Sequence, residues 1–355
     1  YTNIHPELLD AIDAVTFIGV EDIDQEIKYL SENRVISNTE AKKIFGKGYS
    51  AQRNAVVYNA IKNGMDYLIF LDDDEYPVAV TRTRKNAVWG GQHVISTHIK
   101  YIEQADLTHG YHCGYISPIP FIKYNDKMSE KDFRSFIEAI SNDILSWDNV
   151  NRVMNNGGVT YADTEILIKE EVKEVQEIDH AKFISGANLG INLKNPEKVF
   201  PFYNPPGARG EDTFLSTCLT DRTVLKVPCY TFHDGFSTYH HLLEGVLPIQ
   251  LQFIKADNKK NVDRFYKACM GWIRYKPLLL YITHPDTYES KIEETRSRLM
   301  EALPKVSMYF DEPEFMNLLH EFEKYNRNVH KHNKEFVDMK NTWAKLMTHM
   351  CERGE

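Results

Sequence analysis

The most evident chemistry lies in Tyr67–Pro77, YLIFLDDDEYP, where an apolar run meets Asp72, Asp73, Asp74 and Glu75. Like charges packed at short range repel, so a buried strand ending in such a cluster needs something to neutralise it. A divalent cation does so. Asp72 and Asp74 are hard oxygen donors suited to Mn2+ or Mg2+, ions that substrate phosphates and water usually complete in place of an all-protein cage. The plain alternative is a solvated acidic patch at a strand end. A further alternative is a phosphatase pattern, four apolar residues followed by D-x-D-x-[TV] with Asp72 as nucleophile; that pattern wants Thr or Val where this chain has Tyr76.

Other residues carry weaker signals. Glu211 and Asp212 follow the loop Pro205-Pro-Gly-Ala-Arg-Gly210 at the start of a helix, where acids also complement the helix dipole. Arg53 sits on a helix behind the glycine turn Gly46–Ser50, and either faces a diphosphate or is an ordinary exposed arginine. Arg209, in the loop, is placed to clamp phosphate on closure. Trp89, His112 and Tyr115 can stack on or hydrogen-bond a sugar acceptor, although aromatics near strand ends also build cores.

These side chains must be positioned by alternating elements. A capped amphipathic helix is expected from Asn3 through Val15, then a buried parallel strand at Val15–Val20. Gly19 and Glu21, at the end of that strand, join the donor-binding candidates. Helix Gln25–Glu32, a weak strand Arg34–Ser37 and helix Ala51–Asn63 follow. Next come strand Tyr67–Leu71, helix His93–Gln104, strand Leu107–Tyr115 and helix Lys131–Met154. Glu165–Ile178 reads as an exposed strand pair or a charged helix, Phe183–Leu193 as a glycine-punctuated strand, Thr213–Leu219 as a helix and Thr223–Val227 as a strand. This rhythm implies a mostly parallel sheet with helices on both faces and ligands at the carboxyl ends of the strands. Beyond about Tyr239 apolar residues keep helical spacing, which divides the chain into a catalytic domain over 1–239 and a mainly helical region over 240–355.

Composition bounds the function. An apolar fraction of 42% in 355 residues supports a sizeable core, and a net charge of -9 argues against a nucleic-acid grip. Five scattered cysteines without a CxxC pair suit a reducing compartment, and a cytoplasmic location is expected. No signal-peptide pattern opens the sequence, and Phe265–Thr283, the nearest approach to a membrane span, is broken by Lys267, Arg274 and Lys276.

The run Gly48–Pro77, GYSAQRNAVVYNAIKNGMDYLIFLDDDEYP, resembles the segment of family 2 glycosyltransferases of the GT-A fold that reads glycine, small residues, Arg-Asn, helix, apolar strand, DxD. Ala105–Gly110 resembles the strand that follows, Gly210-Glu211-Asp212 the family's acidic motif, and His233 falls where many such enzymes have a third metal ligand. Together these cover roughly Tyr1 to Tyr239. The family's first strand is absent, so that Tyr1-Thr2-Asn3 would end its turn and a strand would lie upstream; Gln52 stands where the family usually has a small residue.

The resemblance implies a GT-A α/β catalytic domain and a metal-dependent, inverting transferase. Asp72 and Asp73 would hold the donor, with Asp72 on the ribose or a metal-bound water, and Asp74 would ligate the cation with His233. Arg53 and Asn54 would contact the donor, and Ser185, Gly186 and Asn188 would lie near its sugar. Asp212 would be the general base, with Glu211 as the fallback. The implied donor is a nucleotide sugar, UDP-linked before GDP-linked, and the acceptor a glycan or lipid-linked hydroxyl, with the C-terminal helices contacting a subunit or the inner face of the membrane. A metal-dependent phosphohydrolase and a non-catalytic nucleotide- or sugar-binding protein are the alternatives.

Overall fold

A computed structural model describes residues 12–115, 118–141, 146–236 and 239–353. The described residues begin with three helices, α1 (Val20–Glu32), α2 (Asn38–Phe45) and α3 (Tyr49–Lys62). Ser37 and Glu40 form a reciprocal cap that starts α2, each side chain bonding the other's backbone N–H. Gly48, at φ 112°, supplies the sharp entry to α3. Glu26 of α1 accepts hydrogen bonds from Tyr58 (2.5 Å) and Lys62 (2.6 Å), fastening α1 to α3.

The main sheet contains β1 (Tyr67–Phe70), β2 (Glu75–Tyr76), β5 (Leu107–Tyr115), β6 (Lys173–Glu174), β7 (Leu189–Asn192) and β8 (Val224–Asp234); β3 (Val78–Thr83) and β4 (Asn86–Gly91) form a separate hairpin. Strands run in the order β1-β7-β5-β8-β2, with β6 on β8. β5 and β8 pair in parallel, while β7 lies antiparallel between β1 and β5, so β1, β5 and β8 share one direction. β2 and β6 also run against β8. The sheet is therefore mixed: β5 and β8 form its parallel pair among the described strands, and β1 shares their direction. β5 is central, between β7 and β8, and almost continuously buried.

Helices α4 (Val94–Ile102), α5 (Glu130–Ile140), α6 (Trp147–Asn155), α7 (Thr164–Lys169) and α8 (Glu211–Ser216) lie among these strands in sequence. The chain ends in α9 (Lys259–Thr283), α10 (Tyr288–Phe310), α11 (Asn317–Arg327) and α12 (Val329–Arg353). One hydrophobic cluster runs from Ile44 and Phe214 through Phe136 and Phe265 to Phe322 and Trp343, so these last helices share a core with the segments that precede them. Among the described residues no helix is long and apolar enough to cross a membrane, and Phe265–Thr283 belongs to the largely buried α9.

Several expectations fail for identifiable reasons. Val15–Val20 forms no strand; Phe17 and Val20 stand 69% and 78% exposed, and Val20 opens α1. An apolar run of strand length becomes a strand only if a neighbour supplies hydrogen bonds, and none pairs with it here. Arg34 adopts φ 57°, which ends any extension of Arg34–Ser37. Lys131–Met154 is two helices, α5 and α6, and Phe183–Leu193 narrows to the four residues of β7. β8, by contrast, continues to Asp234, well past the expected Val227, and so carries His233. The helix expected at the start of the chain falls mainly outside the described residues.

Candidate functional site

β1 delivers Asp72, and the turn from Asp72 to Glu75 closes with Glu75 N–H donating to Asp72 O at 3.2 Å. β2 then pairs with β8 so that Glu75 stands opposite His233, and Asp234 N–H donates to Asp74 O at 2.9 Å. This pairing places Asp74 Oδ2 3.2 Å from His233 Nε2. The hydrogen bond from His233 holds the Asp74 carboxyl below its ordinary range. Burial works against a charged His233, yet the hydrogen bond to Asp74 and the charges of Asp74, Glu75 and Asp72 outweigh it and push the imidazole up.

Arg53 joins this pair to the downstream acids. From α3, its Nη2 donates to Asp72 Oδ1 at 2.9 Å and its Nη1 to Gly186 O at 2.6 Å, while Nε stands 3.7 Å from Glu211 Oε1. The guanidinium lies against the rings of Phe70 and Phe202, which meet edge to face, with centroids 4.9 and 5.5 Å away, and is only 13% exposed. Aromatic faces and three acceptors fix its plane in a way an ammonium could not reproduce. Burial raises the Asp72 pKa against the opposing charge of Arg53. Glu211 is raised as well, by burial and then by Asp212 beside it.

Asp212 sits in the first turn of α8, whose preceding residue, Gly210, has φ 93° and lies against the ring of Tyr275. Asp212 Oδ2 accepts from Gly186 N–H at 3.1 Å and Oδ1 from Thr213 N–H at 2.8 Å. Gly186 is thus gripped on one side by Asp212 and on the other by Arg53; a Cβ there would come 3.1 Å from Asp212 Cβ. The stem of Arg209 packs where Gly271 leaves room on α9, and its charge reaches Glu211.

The structure thus brings together Arg53, Asp72, Asp74, Gly186, Arg209, Glu211, Asp212 and His233. Asp73 is exposed beside them, and Ser185 is half-buried next to Gly186. Other expected residues have different work. Asn54 is wholly buried and is not free for a donor: its amide donates to Phe202 O (3.0 Å) and Ile44 O (3.3 Å) and its Oδ1 accepts from Phe202 N–H (2.7 Å). Asn188 is equally buried, at φ 49°, with Oδ1 2.8 Å from His98 Nε2 and Nδ2 donating to Tyr111 O, so its side chain shapes the backbone next to Gly186 and offers nothing to a sugar. Tyr115 is core; its hydroxyl donates to Gln252 O at 2.6 Å and its ring stacks on Tyr239. Trp89 is half-buried, its indole N–H on Pro248 O at 2.7 Å and its ring against Phe232. Gly19 and Glu21 are exposed at the start of α1, and among the described residues neither meets the acidic cluster.

His112 is taken by a partner the sequence reading overlooked. Its Nδ1 lies 2.8 Å from Glu75 Oε1 and 3.1 Å from Thr231 Oγ1. The Glu75 side chain is 2% exposed, and its Oε2 and His112 Nε2 have no partner among the described residues. Glu75 belongs to the acidic run itself, one residue after Asp74, and opens β2.

Among the described residues no group of three or more His, Cys, Asp or Glu side chains converges as a ready-made metal cage. Asp74 and His233 do fit a half-site, one carboxylate and one imidazole with donor atoms 3.2 Å apart beside a partly exposed Asp72, which leaves the remaining positions for phosphate oxygens and water. A groove of about 550 Å³ lined by Arg34, Lys345 and His349 shares no residue with this cluster.

Comparison with known proteins gives no relative: no family model matches the chain, and no curated protein and no solved structure is significantly similar to it.

Proposed function

We propose that this chain is a metal-dependent glycosyltransferase of the GT-A type, moving a sugar from a nucleotide sugar, UDP-linked before GDP-linked, to a glycan or lipid-linked hydroxyl in the cytoplasm. The observation that carries the reading is the Arg53 bridge, which joins Asp72, beside the Asp74–His233 half-site, to Gly186 and Glu211, next to Asp212. A catalytic base and a diphosphate-binding half-site in one cluster are what displacement at an anomeric carbon requires.

Asp74 and His233 would hold Mn2+ or Mg2+, which when bound supplies Lewis-acid stabilisation to a leaving diphosphate. Arg53 and Arg209 add positive charge where the diphosphate would lie. Asp212, held by two backbone N–H groups, orients a carboxylate to take the acceptor hydroxyl's proton, the arrangement for inversion. Glu211 beside it lies 3.7 Å from Arg53, and the ion pair competes for its carboxylate, which suits it less as a base. A phosphohydrolase reading is weaker because Tyr76 stands where its pattern wants Thr or Val.

The test is a thermal-shift panel of UDP-, GDP- and CDP-sugars with and without Mn2+, followed by product analysis with simple glycan acceptors. At least one nucleotide sugar should raise the melting temperature in the presence of Mn2+ only. If none does, the proposal falls; an aspartyl-phosphate trapped on Asp72 by a metallofluoride would favour the hydrolase.

A further inference from the structure

The β3–β4 hairpin has a surface that the proposed transfer reaction does not use. Val78–Gly91 carries Arg82, Arg84 and Lys85 and no acid, and residues 245–256 carry Lys255 and no acid, within a chain whose net charge is -9. Arg84 and Lys85, at the hairpin tip, make no ion pair among the described residues, and Arg84 holds φ 58° so that the tip turns tightly outward. In sequence the two segments are bounded by acids, Glu75 before the hairpin and Glu244 and Asp257 on either side of residues 245–256.

Apolar residues surround this tip. Val88 is 50% exposed, Val246 54%, Leu247 47% and Ile249 73%. They are not scattered: Ala87 N–H donates to Ile249 O at 2.8 Å and the Trp89 indole to Pro248 O at 2.7 Å, so the 246–249 segment lies along the free edge of β4 beside Val88. Isolated exposed aliphatics are ordinary; a joined set of them rimmed by unpaired cations marks an interaction surface. Its composition, aliphatic centre and basic edge, is that of a surface lying in the headgroup layer of an anionic bilayer.

We propose that the β3–β4 hairpin and the Val246–Ile249 segment dock this protein on an anionic lipid bilayer. The excess positive charge of this face matches a phosphate-rich surface, and its exposed aliphatic centre matches the acyl boundary beneath it. Trp89 packs on Phe232 with ring centroids 4.9 Å apart, which ties the hairpin to β8. The surface stands independently of the glycosyl-transfer reading, since it uses none of the cluster's residues.

The full chain would be floated with vesicles of phosphatidylglycerol and phosphatidylcholine, and with phosphatidylcholine alone, at low and high salt. Binding to the anionic vesicles is expected, weakened by salt and absent from neutral vesicles. Arg84→Glu with Lys85→Glu, and separately Leu247→Ser with Ile249→Ser, should each reduce binding about tenfold or more, two cations contributing about 1 kcal/mol each near such a surface. Both double variants alter exposed side chains, and unchanged thermal unfolding verifies their folding. No binding by the wild type, or equal binding by both variants, overturns the proposal. Self-association without lipid that the same variants abolish would assign the face to a second copy and overturn it as well.

Discussion

His233 Nε2 lies 3.2 Å from Asp74 Oδ2 although 159 positions separate them in the chain. The short pairing of β2 with β8 makes the meeting, because Glu75 opposite His233 leaves Asp74 at the mouth of the same strand pair. If these atoms form the protein's share of a cation site, Asp74→Asn removes the charged donor and should abolish Mn2+-dependent donor binding. His233→Ala should weaken it by at least about tenfold, the lower end of what loss of a metal-site partner costs. Calorimetric titration of Mn2+ and a UDP-sugar checks both; unchanged donor affinity in Asp74→Asn removes this ligand assignment.

Arg53 is argued to act by geometry as much as by charge. Its three nitrogens meet Asp72, Gly186 O and Glu211 while the rings of Phe70 and Phe202 pack against it. Lysine keeps the charge but can serve only part of this set. Arg53→Lys should therefore cost about 2 kcal/mol in stability, the range for leaving part-buried polar groups unmatched. Urea denaturation measures it, and a variant as stable as the wild type would show that the three contacts do not act together.

The legible and illegible parts of the sequence divide along one line. Leu107–Tyr115 forms the strand expected of it although it carries two histidines and two glycines, because β7 and β8 flank it and supply its hydrogen bonds. Val15–Val20 is the more apolar run and forms no strand, since pairing is decided by a distant neighbour that local pattern does not name. The same holds at the site. Arg53, Asp72, Asp74 and Asp212 stand out by residue type and order and do converge, yet Asn54 and Tyr115 have equally suitable types. Their partners, Phe202 and Gln252, lie 148 and 137 positions away and turn them into structural fasteners. Glu75 and His112 hold each other at 2.8 Å, a pairing that residue type alone does not announce.

His98 supplies a pH-dependent stability. It is buried between Thr108 Oγ1 (2.7 Å) and Asn188 Oδ1 (2.8 Å), and burial lowers its pKa below the ordinary 6.5 against a smaller opposing effect of Asn188. The unfolded chain therefore takes up the proton first. The contribution is complete above about pH 6.5 and is lost as pH falls through the folded-state value. His109, buried and also lowered, acts in the same direction. In denaturant titrations from pH 7.5 to 5, His98→Gln should start less stable than the wild type by about 1–3 kcal/mol, and the gap should narrow on acidification. A gap that stays constant would mean that His98 does not titrate differently in the two states.

Asp212→Asn separates chemistry from binding. The carboxylate accepts one N–H from Gly186 and one from Thr213, so an amide of the same shape can keep one of these bonds through its oxygen but must turn its NH2 toward the other. Some local loosening is expected, and Glu211→Gln, on the same turn, is the control for it. Asp212 is bonded to Gly186 and Thr213 whereas Asp74 pairs with His233, which predicts that Mn2+-dependent donor binding survives in Asp212→Asn. What is lost is the group that removes the acceptor proton, worth about 10²–10⁴-fold in rate for general-base catalysis. The expected signature is a fall in kcat with the donor KM nearly unchanged, which marks an interaction made in the transition state. Should Glu211→Gln show that fall while Asp212→Asn retains turnover, the base is Glu211 and the roles within this acidic pair are reversed.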